Sequence, residues 1–166
     1  MTGPMSDQTS NVAIVNEEVS WEVLDITVSG TITASQDLEA RAAVIFVAGS
    51  GPTDRDWCTP ALPGSNGSAK LLAEALARQG IMTLRYDKLA SGPHLVENLS
   101  RIAGKISMRS HIDEIKGAVR TLIAERPEMK DRMFVLSNSE GAIHAVNYQL
   151  QAGTGRFQGL VLTGLQ

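Results

Sequence analysis

The chain has 166 residues, 43% of them hydrophobic, and its 15 basic and 18 acidic side chains leave a net charge of −3. That is the length of one domain able to bury about 70% of its unfolded surface, and the charge balance supplies no basic field for nucleic acid or an anionic membrane. No apolar run approaches membrane-spanning length, the polar opening from Met1 to Ser10 makes the cytoplasm the expected compartment, and the lone Cys58 excludes an intrachain disulfide or a cysteine-built metal site.

Residues 1 to about 17 lack periodicity and read as a flexible arm. Val19 to Ala34 is rich in β-branched residues and is interrupted by Ser29-Gly30, which predicts a hairpin turning there. Ala42 to Val47 is apolar on both faces, as a strand inside a covered parallel sheet should be, and it runs into the flexible turn Ala48-Gly49-Ser50-Gly51-Pro52. After the charged triplet Asp54-Arg55-Asp56, Ser65 or Asn66 is placed to cap a helix with Leu71, Leu72, Ala75 and Leu76 on one side, ended by Gly80. Ile81 to Tyr86 is a further strand, closing on Asp87-Lys88. Residues 89 to 108 give only a hint of helix, through Leu95, Leu99, Ile102 and Ile106. Ser110 with Asp113 reads as a capping box for a helix carrying Ile112, Ile115, Val119 and Leu122, stopped at Pro127. Arg132 to Leu136 is a buried strand, Ser137 to Gly141 a tight turn of small residues, and Ala142 to Gln151 a helix; Leu160-Val161-Leu162 is the last strand.

Strands alternating with helices at this spacing predict an α/β three-layer sandwich with a mostly parallel sheet. Right-handed crossovers bring the loops at Gly49, Asp87 and Ser139 to one sheet edge, where open α/β sheets bind ligands. The turn at Ser139 lifts its side chain toward a helix N-terminus, whose N–H groups and dipole favour developing negative charge. The plainer reading of the same turn is a β-to-α connection in which Ser137 or Ser139 caps the helix. Nothing in the sequence calls for a cofactor or a metal: Gly49-Ser50-Gly51 lacks both the third glycine of a dinucleotide fingerprint and the Gly-Lys-Ser/Thr ending of a phosphate loop.

Ser137-Asn138-Ser139-Glu140-Gly141 resembles the nucleophile elbow of the α/β-hydrolase superfamily, G-x-S-x-G, with Ser137 in place of the first glycine. Phe46 to Asp56 is similar to the loop that reads H-G-S-G-P-x-D-R-D in esterase-like and serine-peptidase-like members, with Ala48 in place of histidine, and Arg85-Tyr86-Asp87-Lys88 is similar to their next strand end. The resemblance covers residues 18–166, the N-terminal portion of such a domain. It implies Ser139 as nucleophile, the N–H groups of Glu140 and Ser50 as an oxyanion hole, and a small-molecule ester or amide as substrate.

The same resemblance implies a triad acid and histidine after the serine. Beyond Glu140 the chain has no Asp or Glu, and its only histidine there is His144, on the elbow helix itself. Two readings follow: a serine hydrolase represented by its nucleophile half, lacking its C-terminal strands, or a catalytically inactive binding module with a vestigial elbow. Of the other histidines, His111 is expected to face solvent and His94 to sit near the rim. Asp54, Arg55 and Asp56 are expected to form an ion-paired loop clamp and Asp87 to tie down its own loop. Trp57 either walls the acyl pocket or packs. A final strand apolar on both faces and unprotected at its edge is a candidate for self-association.

Overall fold

The computed structural model describes residues 12–61, 63–153 and 155–164. Two antiparallel strands come first, β1 (Ile14–Val23) and β2 (Ile26–Ser35). They join β3 (Ala42–Val47), β4 (Ile81–Tyr86), β5 (Met133–Asn138) and β6 (Gly159–Thr163) in one sheet of order β1-β2-β4-β3-β5-β6. β4, β3, β5 and β6 run parallel, and β2 meets β4 antiparallel. The expected sandwich with a mostly parallel sheet is therefore present. Helix α1 (Ser68–Ala77) packs on one face over Phe46 and Leu136, whereas α3 (Met108–Glu125) and α4 (Glu140–Gln151) pack on the other, over a larger core that includes Ile45, Leu84, Met133 and Val135. A short α2 (Leu95–Ile102) lies in the stretch that the sequence left least readable.

Several local expectations are corrected. β1 already starts at Ile14, within the stretch expected to be a flexible arm; residues 1 to 11 of that stretch lie outside the described residues. The hairpin turns at Leu24-Asp25, both with positive φ (53° and 60°), rather than at Ser29-Gly30. Gly30 sits inside β2, where an added Cβ would come within 3.2 Å of the Trp21 ring and 2.9 Å of the Arg85 carbonyl, so its glycine serves close packing rather than a turn. Helix α1 starts after Gly67, which has no side chain to cap it, but Asn66 Oδ1 accepts from the N–H of Ser68, its first residue, at 3.3 Å; α1 buries Ala69, Ala73 and Ala77, and Leu71 and Leu72 face outward. Small alanines let this helix approach the sheet closely. Helix α3 is capped by a box of Ser107 and Ser110, one turn earlier than the Ser110 and Asp113 pair predicts. Its apolar positions Ile112, Ile115, Val119 and Leu122 are all buried, as the spacing requires.

Candidate active site

The carboxyl ends of β3, β4 and β5 bring together three loops: Ala48 to Cys58, Asp87 to Ser91, and the turn at Ser139. The sharpest feature is Ser139 itself. Its backbone lies at φ 52°, ψ −126°, and its side chain makes no capping hydrogen bond to α4. A non-glycine residue in that region carries strain of about 1–3 kcal/mol, which persists only where the surroundings impose it. The surroundings do so here. The Ser139 N–H donates to the Thr163 carbonyl (2.8 Å), and the Thr163 hydroxyl donates to the Ser137 carbonyl (2.9 Å). Ser137 is buried with its hydroxyl directed to the Val161 carbonyl at 3.3 Å. Neither serine therefore acts as the helix cap that a plain connection would use.

Two glycines let the loops close on this turn. A Cβ on Gly141 would stand 2.5 Å from the Ala48 carbonyl oxygen and 2.6 Å from that of Val47, so α4 begins in direct contact with the end of β3. A Cβ on Gly49 would meet the Asn138 carbonyl oxygen at 3.1 Å and the Ser139 Cβ at 3.2 Å. The Gly49-Ser50 peptide thus lies beside Ser139, with Gly49 buried and Ser50 exposed. Among the described residues, no protein acceptor is paired with the N–H of Ser50 or of Glu140. The residues expected at the site thus fall on adjoining segments: Ser50 follows Gly49, which lies beside Ser139, and Glu140 is the first residue of α4.

The charged loop is held as the sequence leads one to expect, with one change. Asp87 reaches across to the loop after β3: its Oδ1 accepts from the Arg55 N–H at 2.9 Å, and its Oδ2 accepts from Arg55 Nε and Nη2 at 3.0 and 2.7 Å. It ties down that neighbouring loop rather than its own. Arg55 also pairs with Glu18 and the Thr31 hydroxyl, both at 2.6 Å. Arg85 pairs with Asp56, and Asp54 Oδ1 accepts from the N–H groups of Asp56 and Cys58, each at 2.9 Å. Trp57 packs on Phe46, ring centroids 5.7 Å apart, and also lines a cleft with Cys58, Thr59 and Asn66 in which Ser139 takes no part. A cleft of about 860 Å³ opens over this clamp, lined by Glu18, Arg55, Arg85 and Asp87, and Ser139 is not among its walls.

Beneath the turn lies an ionisable cluster that sequence reading missed. Lys88, only 6% exposed, donates its ammonium group to the Gly49 carbonyl. Burial lowers its pKa, against the opposing pull of Glu114 and Glu140. Glu114 is 1% exposed and accepts from the Leu89 N–H (2.5 Å) and the His111 imidazole (2.8 Å). His111 stacks on His144 with ring centroids 4.4 Å apart, so it faces the protein rather than solvent. His144 is buried, and burial pushes its pKa down to about 4, with His111 and Lys88 adding to the shift. His94 is half exposed and pairs with Glu97 at 3.3 Å. Only the His111 and Glu114 spacing of three on a helix signalled any of this in the sequence.

Among the described residues no group of His, Cys, Asp and Glu is placed to hold a metal ion, and no helix is long and apolar enough to cross a membrane. No protein-family model matches the chain, and no curated protein matches its sequence. Solved structures do match. A cold-adapted esterase from an Arctic intertidal metagenomic library gives a TM-score of 0.65 at 16% identity, over 98% of this chain and 65% of its own. A thermostable carboxyl esterase from Bacillus coagulans gives 0.65 at 18% identity, over 89% of this chain and 43% of its own. Prolyl oligopeptidase B from Galerina marginata gives 0.64 at 15% identity, over 89% of this chain and 20% of its own. The chain thus spans less than two thirds of the length of these structures, and over that span it has the α/β-hydrolase fold.

Proposed function

We propose that Ser139 is the nucleophile of a serine hydrolase acting on a carboxylic ester or amide. The observation that carries this reading is the backbone of Ser139 at φ 52°, ψ −126° on the first turn of α4, with its hydroxyl free of any capping bond. That geometry presents the side chain at the sheet edge and leaves the N–H of Glu140 directed along the helix axis. In the reaction, Oγ of Ser139 attacks the carbonyl carbon while its proton passes to a general base. The carbonyl oxygen becomes an oxyanion facing the N–H groups of Glu140 and Ser50, worth about 3 kcal/mol per donor. The leaving alcohol or amine departs with the proton, and water then hydrolyses the acyl ester on Ser139.

The base and its acid partner are assigned to residues beyond those of this sequence, because His144 is buried on α4 and no acid follows Glu140. That same observation favours the second reading, a binding module that keeps the turn without its chemistry. The coding sequence past Gln166 discriminates: an Asp and a His within roughly the next hundred residues support the enzyme, and a stop codon supports the module. In the full-length gene product, Ser139→Ala should lower ester hydrolysis by several decades while leaving the fold intact. Unchanged turnover in that variant overturns the assignment.

A further inference from the structure

Resting on the reading of Ser50 as an oxyanion donor, we infer that Lys88 is the residue that aims that donor. A trans peptide is planar, and its C=O and N–H point in opposite directions. Fixing one of the two groups therefore fixes the other. The Gly49-Ser50 unit is trans, its carbonyl accepts from the buried Lys88 ammonium, Gly49 lies beside Ser139, and Ser50, which carries the N–H of the same unit, is exposed. With its carbonyl anchored inward, the unit must direct the Ser50 N–H outward, toward the space above Ser139.

Two features make this anchor specific. Lys88 is itself 94% buried by its 6% exposure, and a buried ammonium is retained only where its donors are used. Further, Gly49 has no side chain, so packing alone does not hold its peptide plane against rotation. The position before Gly49 is Ala48, which has no polar group to do so. The nearby Glu114 and Glu140 favour the charged form of Lys88 and oppose the burial that lowers its pKa. Lys88 touches no reacting atom in this scheme; it is a positioning residue.

The test is Lys88→Met in the full-length gene product, with Lys88→Gln, which keeps a neutral donor on a shorter stem, as the second variant if the first does not fold. Wild-type protein should show one sharp Ser50 amide resonance in ¹⁵N NMR; the Met variant should show it broadened or doubled, with resonances of the sheet unmoved. In turnover, the Met variant should lose about 10- to 100-fold in kcat on an oxygen ester, with KM within about threefold. A thionoester should lose much less, because its sulfur gains little from N–H donors, so the oxygen-to-sulfur rate ratio should collapse. The Gln variant should fall between wild type and Met in both readouts.

An unchanged Ser50 amide, or an unchanged rate ratio in a folded variant, overturns the role of Lys88. Ser139→Ala is the separating control. If it leaves hydrolysis intact, the serine-hydrolase reading fails. If it abolishes hydrolysis while Lys88→Met keeps both kcat and the ratio, only the positioning role fails.

Discussion

Asp87 grips the backbone and the guanidinium of Arg55 at once, with contacts of 2.7 to 3.0 Å, and so fastens the loop after β3 to the end of β4. The Asp87 side chain is 7% exposed and that of Arg55 16%, so the pair is largely withdrawn from solvent. The Arg55 pKa is raised: burial opposes the charge, but the bonds from Asp87 and Glu18 outweigh it.

Removing one partner of such a pair strands the other charge in a poor solvent. Asp87→Ala should therefore destabilise the protein by about 2–4 kcal/mol, the lower end reflecting the bond that Arg55 keeps to Glu18. Urea unfolding followed by circular dichroism measures it. A change under about half a kcal/mol would show that the clamp is surface-like in energy despite its burial.

Gly141→Ala tests the contact between α4 and β3. The added methyl meets two backbone carbonyl oxygens, at 2.5 and 2.6 Å, and neither can swing aside as a side chain would. The helix has to shift, costing about 1–3 kcal/mol and moving Glu140 away from the Gly49-Ser50 loop. A thermal midpoint equal to wild type would mean that α4 sits less tightly on β3 than these distances indicate.

The framework was legible because its signals are local. Ala42 to Val47 and Met133 to Leu136 announce buried strands by composition, and Ile112, Ile115, Val119 and Leu122 announce a helix face by spacing. The errors fell where one residue type serves two purposes. Gly30 looked like a turn residue but admits the Trp21 ring, and Leu71 and Leu72 looked like the buried face of α1 although alanines fill it. Ser50, Ser139 and Glu140, the residues proposed for the site, were singled out by motifs, whereas Lys88 was not. A lysine after a strand reads as a solvated charge, and only the fold shows that Gly49 lies across from it.

His144 should make stability fall in mild acid. Its pKa is depressed from 6.5 to about 4, so the unfolded chain binds more protons than the folded one between those values. The stability it allows is fully present above pH 6.5 and is lost as pH falls toward 4. From pH 7 to 5 the loss from this group is about 2 kcal/mol. The groups facing it are His111, Glu140 and Lys88, with Glu114 behind His111. All remain in His144→Phe, which keeps an aromatic ring against His111. Urea titrations at the two pH values should show a shallower loss in the variant; equal slopes would assign the acid sensitivity elsewhere.

The outer edge of β6 leads to the last expectation. β6 pairs with β5, and among the described residues no strand lies on its other side. Its free N–H and C=O groups are a template for another strand unless a charge, a proline or a bulge blunts them. None of Gln158 to Gln166 is Lys, Pro, Asp or Glu, while Val161 and Leu162 are 53% and 37% exposed. The neighbouring helix adds apolar surface at Ile143 (49%) and Leu150 (77%), and exposed apolar area of this kind favours association. We therefore expect the 166-residue chain to self-associate through residues 157 to 164. Sedimentation velocity at micromolar concentration should show concentration-dependent species, and Val161→Lys should return them to monomer by placing a charge on the edge strand. A stable monomer of the unaltered chain under those conditions would refute the pairing, and self-association undiminished by Val161→Lys would move the contact away from β6.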